Sequence, residues 1–231
     1  HANKILGDYQ KLDYDMNAMQ MKTCGELRIG ASTTISQYVM PEIIADFRKR
    51  YPQIRITMLS GNSREVEDAL ISGRVDIGMV EGSIRLPQLK YTVFMDDELV
   101  PIVSTKGALA DREEVSLDEL KNIPVVLREH GSGTLDVIQQ ALHRCNINLS
   151  DLNVEMNFGT TEGIKHYVEH TDCMGIISVR SVNKELYANV FRVVDIRGLR
   201  IDRKLAFVEK RGEITGLHKA LKDFITQSYR A

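Results

Sequence analysis

No apolar run in this chain of 231 residues approaches the roughly twenty residues that a helix needs to cross a bilayer, so no segment is placed in a membrane. Cysteine is scarce. Cys24, Cys145 and Cys173 are odd in number, widely spaced and form no CxxC pair. That argues against a disulfide framework and for a reducing cytoplasm. An excess of either charge is missing too: 30 basic against 32 acidic residues leave a net charge of −2. These residues therefore carry no electrostatic footprint for nucleic acid. The N-terminus is polar and shows no secretory h-region.

Catalytic signatures are missing as well. There is no G-x-S-x-G elbow. Gly131-Ser132-Gly133 lacks the lysine of a P-loop and the third glycine of a dinucleotide fingerprint. His143 and the three cysteines form no nucleophile–base pair that spacing supports. His166 and His170 share a helix face, with Asp172 and Cys173 next, but the HExxH placement of Glu is absent. They read as a solvated helix face rather than a zinc site.

What is present suits a globular core: 43% of the residues are hydrophobic. The stretch Gly25 to Tyr51 organises the rest. Glu26 to Ile29 alternates polar and apolar, the period of a strand with one buried face. Gly30-Ala31-Ser32-Thr33-Thr34 is a small, hydroxyl-rich turn, and Ile35, Val39, Met40, Ile43, Ile44 and Phe47 then recur at helical spacing. Hydroxyls and N–H groups at a helix start suit an anion or carboxylate at Ser32 to Ser36. The same Ser and Thr residues also suit plain capping, and the residues leave both readings open. Pro41 requires the helix either to start near Tyr38 or to bend there.

Further along, strands are expected over Ile54–Leu59 and Val75–Val80, with a helix between them opened by Asn62 and Glu65 at capping-box spacing and stopped at Gly73. Glu81 follows the third strand, at the end where open α/β sheets bind ligands. Strands at Leu99–Val103, Ile123–Leu127, Val154–Phe158, Gly175–Val179, Val190–Val194 and Leu205–Val208 alternate with helices, one opened by the Ser116/Glu119 capping box. The loop Arg128 to Thr134 and the pair Thr160-Thr161 each lead from a strand into a helix. This order predicts an α/β fold in two lobes, with small-ligand turns facing a cleft. Before it all, Ile5, Tyr9, Leu12, Met16 and Met19 fall 4, 3, 4 and 3 apart, over about two heptads of a coiled coil. An ordinary amphipathic helix reads equally well there.

The ordered set GELRIGAST, PEIIADFRKRYPQIRI, LSGNSREVEDALISGRVDIGMV and FGTTEGIKHYVEHTDCMGIISV resembles the effector-binding domain of LysR-type transcriptional regulators. It includes Phe47 to Pro52, the Gly73, Asp76, Gly78 pattern, and Val168 with Gly175. No single piece is specific; the order is. The resemblance implies the type 2 periplasmic-binding-protein fold: two Rossmann-like subdomains joined by two crossover strands, behind the remnant of a linker helix. Residues 1–24 would be that remnant, 25–103 and 204–231 subdomain I, and 104–203 subdomain II.

The resemblance further implies an effector site between the lobes. Its contacts would be Ser32, Thr33, Thr34, Ser36, Glu81, Arg128, His130, Ser132, Gly133, Thr134, Thr160 and Thr161. Arg128 would pair with a ligand carboxylate, or with Glu81 or Glu129. Implied partners are a small, anionic effector and the chain itself, as a homodimer that becomes a tetramer at full length. DNA would be reached only through a winged helix-turn-helix not included in these residues, and RNA polymerase is a further implied partner. No metal, cofactor or catalytic residue is implied. An extracytoplasmic solute-binding protein feeding a transporter shares the fold and is the competing expectation. An enzyme on this fold stands third, with no acid–base pair visible to carry it.

Overall fold

The computed structural model describes residues 24–82, 85–212 and 216–229. The expected coiled-coil seam from Ile5 to Met19 lies outside them. The chain opens with β1 (Gly25–Ser32), α1 (Thr33–Tyr38) and α2 (Met40–Arg50). Both alternatives set by Pro41 therefore meet in one geometry: the helical run breaks at Val39, and Pro41 sits in the first turn of α2, where its missing N–H costs nothing. β2 (Ile54–Gly61) leads to α3 (Ser63–Ile71) and β3 (Ile77–Val80). Asn62 caps α3 in a full capping box: its side chain accepts from Glu65 N–H, and Glu65 Oε2 accepts from Asn62 N–H. At the other end Gly73, with φ of +75°, donates to Leu70 O while Arg74 donates to Ala69 O, a Schellman stop.

β4 (Leu89–Ser104) is longer than expected and begins ten residues before Leu99. After β5 (Glu114–Val115) and the short α4 (Leu117–Leu120) come β6 (Pro124–Arg128), α5 (Gly133–Arg144), β7 (Asn153–Phe158), α6 (Thr161–Glu169) and β8 (Met174–Ser178). Asn146, with φ of 58°, closes α5 in a second Schellman stop, Ile147 donating to Leu142 O. The chain continues through α7 (Asn183–Tyr187), β9 (Phe191–Val193), β10 (Asp195–Ile196) and β11 (Ile201–Lys210) to α8 (Gly216–Ser228).

The chain forms two compact units. The first runs to Val80 and takes in Arg85–Met95 and the chain from Leu205 on; the second holds Glu81, Gly82 and Asp96–Lys204. β4 and β11 each run from one unit into the other, so two strands carry the crossings. The expected division at 103 and 104 put the first part of β4's pairing in subdomain I. Leu99 to Ile102 in fact pair with Ser178 to Gly175 of β8, and Ile102 to Ser104 with β9, which places them in the second unit.

In the first unit the strand order is β2-β1-β3-β11, parallel except for β11. Gly30 and Gly78 sit side by side in the β1–β3 pairing. A methyl on either would lie 3.1 Å from Val66 Cγ1, so the two glycines let α3 lie close on the sheet. Asp76 holds this register by accepting from the Arg28 backbone N–H (2.8 Å) and from its guanidinium (2.6 and 3.3 Å). Leu27, Ile29, Ile35, Phe47, Phe207 and Ile225 are among the core on the other face.

In the second unit the order is β7-β6-β8-β4, with β9 also on β4. β6, β7 and β8 are parallel, as strand–helix–strand connections require. Val125, Leu127, Ile138, Leu142 and Ile176 pack on one side and Ile164, Val168, Ile177 and Phe191 on the other. Gly175 lies under α6, where a β-carbon would sit 2.7 Å from Ile164 Cγ2 and 3.1 Å from Val168 Cγ2. Gly175→Ala is therefore expected to overpack this layer and cost about 1–3 kcal/mol. Urea denaturation checks it, through a lower midpoint at unchanged slope.

Candidate functional site

The expected site residues fall into two sets, one in each unit. In the first unit Ser32, Thr33, Thr34 and Ser36 are all buried. Ser32 is the N-cap of α1 by position, yet its side chain makes no capping hydrogen bond. The hydroxyl of Ser36 lies 2.7 Å from that of Ser60 and donates to Thr33 O at 3.1 Å. The turn is thus braced across to β2, a pairing between residues 24 apart that spacing does not reveal.

In the second unit α6 starts at Thr160, whose hydroxyl accepts from Gly163 N–H at 3.0 Å. Thr160 is exposed and caps the helix, while Thr161 beside it is buried. Of the partners expected for Arg128, the structure shows Glu129. Nε and Nη2 donate to its two carboxylate oxygens at 2.9 and 3.0 Å. The same atoms donate to Phe158 O (3.2 Å) and Gly159 O (3.1 Å). Arg128, with a side chain only 1% exposed, thereby holds the turn that delivers Thr160 and Thr161. His130 is exposed on the loop that follows.

The start of α5 gathers the most polar chemistry. Ser132 is its N-cap, and Gly133 and Thr134 form its first turn, all three buried. Gly82, with φ of +116°, packs directly on it: a methyl there would meet Gly133 Cα at 3.1 Å. Glu81, also buried, accepts from Thr134 Oγ1 at 3.4 Å and lies 3.5 Å from Arg203 Nη1. Arg203 Nη1 in turn donates to Thr134 Oγ1 at 2.8 Å, and Arg203 Nε donates to Asp97 Oδ2 at 2.7 Å. The other oxygen of Asp97 accepts from Ser178 Oγ at 2.9 Å and lies 3.4 Å from Arg180 Nε.

Arg203 and Asp97 were not among the expected site residues. They are 106 residues apart, and their side chains are 1% and 0% exposed. A signal was nonetheless there. Ile201, Arg203 and Leu205 point inward on β11, as Met95, Asp97 and Leu99 do on β4. A charge at an inward position of an alternating strand needs a partner.

Among the described residues no group of three or more His, Cys, Asp or Glu side chains is placed to hold a metal ion. The first-turn Asp136 of α5 is held above the ordinary aspartate range by burial, with the charge of His130 pulling the other way.

Two α/β units threaded by two common strands, with hydroxyls gathered at helix starts, define a binding domain of the type 2 periplasmic-binding-protein fold. The chain belongs to the LysR substrate-binding domain family, whose model matches residues 21–230. It is 34% identical over 201 residues to the HTH-type transcriptional regulator YeiE of Escherichia coli K12, a match covering 87% of this chain and 67% of that protein. It is 28% identical over 207 residues to the HTH-type transcriptional regulator CysL of Bacillus subtilis, covering 90% and 68%. Among solved structures, the regulatory domain of Synechocystis CcmR in complex with 2-PG superposes with a TM-score of 0.79 at 22% identity, covering 90% of this chain and all of that one. The effector-binding domain of QuiR in complex with shikimate gives 0.78 at 18%, covering 88% and 96%. The named relatives are transcriptional regulators, which separates this family from the transporter-receptor alternative. No helix among the described residues is long and apolar enough to cross a membrane.

Two outcomes are expected. Removing one partner of a buried ion pair leaves the other charge stranded, so Asp97→Ala should cost about 3–5 kcal/mol in chemical denaturation. For Asp136 the raised folded pKa means that its contribution is fully present below the ordinary value of about 3.9 and is lost as pH rises through the folded value. Asp136→Asn should then raise the melting temperature at pH 7, and thermal scans below about pH 3.9 should show no gain.

Proposed function

We propose that this chain is the effector-sensing and oligomerisation domain of a cytoplasmic LysR-type regulator that binds a small anion and controls the geometry of DNA-bound oligomers. The observation that carries the reading is the family match over residues 21–230, together with buried hydroxyls at the helix starts of both units. Ser32, Thr33 and Thr34 in the first unit, and Ser132 and Thr161 in the second, supply hydrogen-bond donors to the effector. Arg128 and Thr160 hold backbone in place. The domain performs no turnover and carries no resident cofactor.

The neighbours support this: CcmR and QuiR domains are described with small molecules bound, and full-length CbnR with its target DNA. The chain spans about two thirds of the length of YeiE and CysL. DNA contact then belongs to the part of such a regulator outside these residues, and pairing of domains, with RNA polymerase as a further partner, to the full-length assembly. An effector can shift that assembly only by binding one arrangement more tightly than another.

A thermal-shift and calorimetric screen of carboxylates and sulfate tests the reading. A ligand found this way is expected to bind Thr34→Val and Thr161→Val more weakly than the wild type. Equal affinity in both variants would remove these turns from the site.

A further inference from the structure

A cavity of about 610 Å³ opens in the first unit, lined by the chain entering β4 and the chain leaving β11. Its lining residues all belong to that unit, and none of them is among the expected effector contacts. The volume is that of a small-ligand pocket. Arg85, Lys90 and Arg211 stand around it, and all three are exposed. None of them forms an ion pair with a carboxylate among the described residues. A cleft lined by one sign of charge concentrates ions of the other sign. Leu86, Pro87 and Leu89 supply an aliphatic wall.

The cavity has a fixed platform. The guanidinium carbon of Arg85 lies 4.4 Å from the centroid of the Tyr91 ring, where cation–π attraction holds it. The ring is anchored in turn: its hydroxyl donates to Glu67 Oε1 at 2.6 Å and accepts from Leu86 N–H at 3.1 Å. Burial and the Glu67 carboxylate push this phenol up to about 12, so it remains a donor at neutral pH. Arg85 is therefore preset over an aromatic face, with its N–H groups in the guanidinium plane to meet an acceptor. β11 ends at the same cavity in a left-handed turn at Gly212, with φ of +85°.

We propose that this cavity is a second ligand site, which takes the phosphate group of a small organic molecule on Arg85, Lys90 and Arg211. Two guanidiniums and an ammonium match a tetrahedral oxyanion of multiple charge: an arginine engages two oxygens at once, and a lysine acts as a point charge. A single carboxylate would leave most of the positive charge unbalanced. The cavity is larger than one phosphate, and its aliphatic wall receives the rest of the molecule. The site shares no residue with the hydroxyl turns, so it can be filled independently of them.

Calorimetric titration with sodium pyrophosphate in metal-free buffer, at ionic strength matched with sodium chloride, tests the charged contacts. Saturable binding is expected in the wild type, and equally in Thr34→Val and Thr161→Val. Arg85→Gln and Arg211→Gln should each weaken it about tenfold, the worth of one charge-assisted hydrogen bond. The triple change Arg85→Gln, Lys90→Gln and Arg211→Gln should abolish it. These side chains are exposed, so melting temperatures without pyrophosphate should stay close to the wild-type value. Phenyl phosphate is expected to bind the wild type more tightly than inorganic phosphate, its ring lying on the aliphatic wall.

No pyrophosphate binding by the wild type, or wild-type affinity in the triple variant, would overturn the proposal. Loss of pyrophosphate binding in Thr34→Val or Thr161→Val would also overturn it, by moving the anion to the helix starts. Equal affinity for phenyl phosphate and inorganic phosphate would overturn the assignment of an organic ligand.

Discussion

The second unit depends on a charge that has no access to water. Arg203 stands on β11 and Asp97 on β4, each within two residues of the point where its strand passes into the first unit. Burying either alone would be prohibitive, so the two must meet, and their meeting fixes how these strands lie in the second unit. The guanidinium has further donors once Asp97 has taken Nε. One reaches Thr134 at the start of α5, which links that helix to both strands. Glu81, the first residue after β3, closes the same group. A buried ion pair of this kind contributes little net stability, because desolvation offsets most of its attraction. Its effect is to hold a set of helix and strand ends in one arrangement.

The first unit is organised differently. Its hydroxyl turn is seated by packing: Ile29, Ala31 and Ile35 are fully buried, and Gly30 and Gly78 allow α3 to approach the sheet. The polar contacts there are short and local to the sheet, Ser36 to Ser60 and Arg28 to Asp76. One unit thus presents neutral hydroxyls on an apolar frame, and the other presents hydroxyls beside a buried cation.

Much of the fold was legible because its signals are local. Both capping boxes, at Asn62/Glu65 and Ser116/Glu119, lie within a single helical turn, and a hydrogen bond three residues long is read directly from spacing. The Gly73 stop and the strand alternation are equally local. Pro41 illustrates a partial reading: a break was required, and only packing decided that helix would resume at once in α2. Arg128 illustrates another. Its partner could have been a ligand, Glu81 or Glu129, and the adjacent carboxylate forms the bidentate pair.

The amino-acid sequence by itself determined the element order, the parallel strand–helix repeats and the positions of the hydroxyl turns, because each follows from periodicity and short-range hydrogen bonding. Asp97 and Arg203 lie outside the strands expected at Leu99–Val103 and Leu205–Val208, so their inward positions appeared only with the full length of β4 and β11. Only the tertiary structure decided that they meet each other across 106 residues and that Thr134 and Glu81 join them. The reason is physical. Spacing reports which face a side chain occupies, whereas pairing across a sheet depends on register and strand order, which nothing short of the packed core selects.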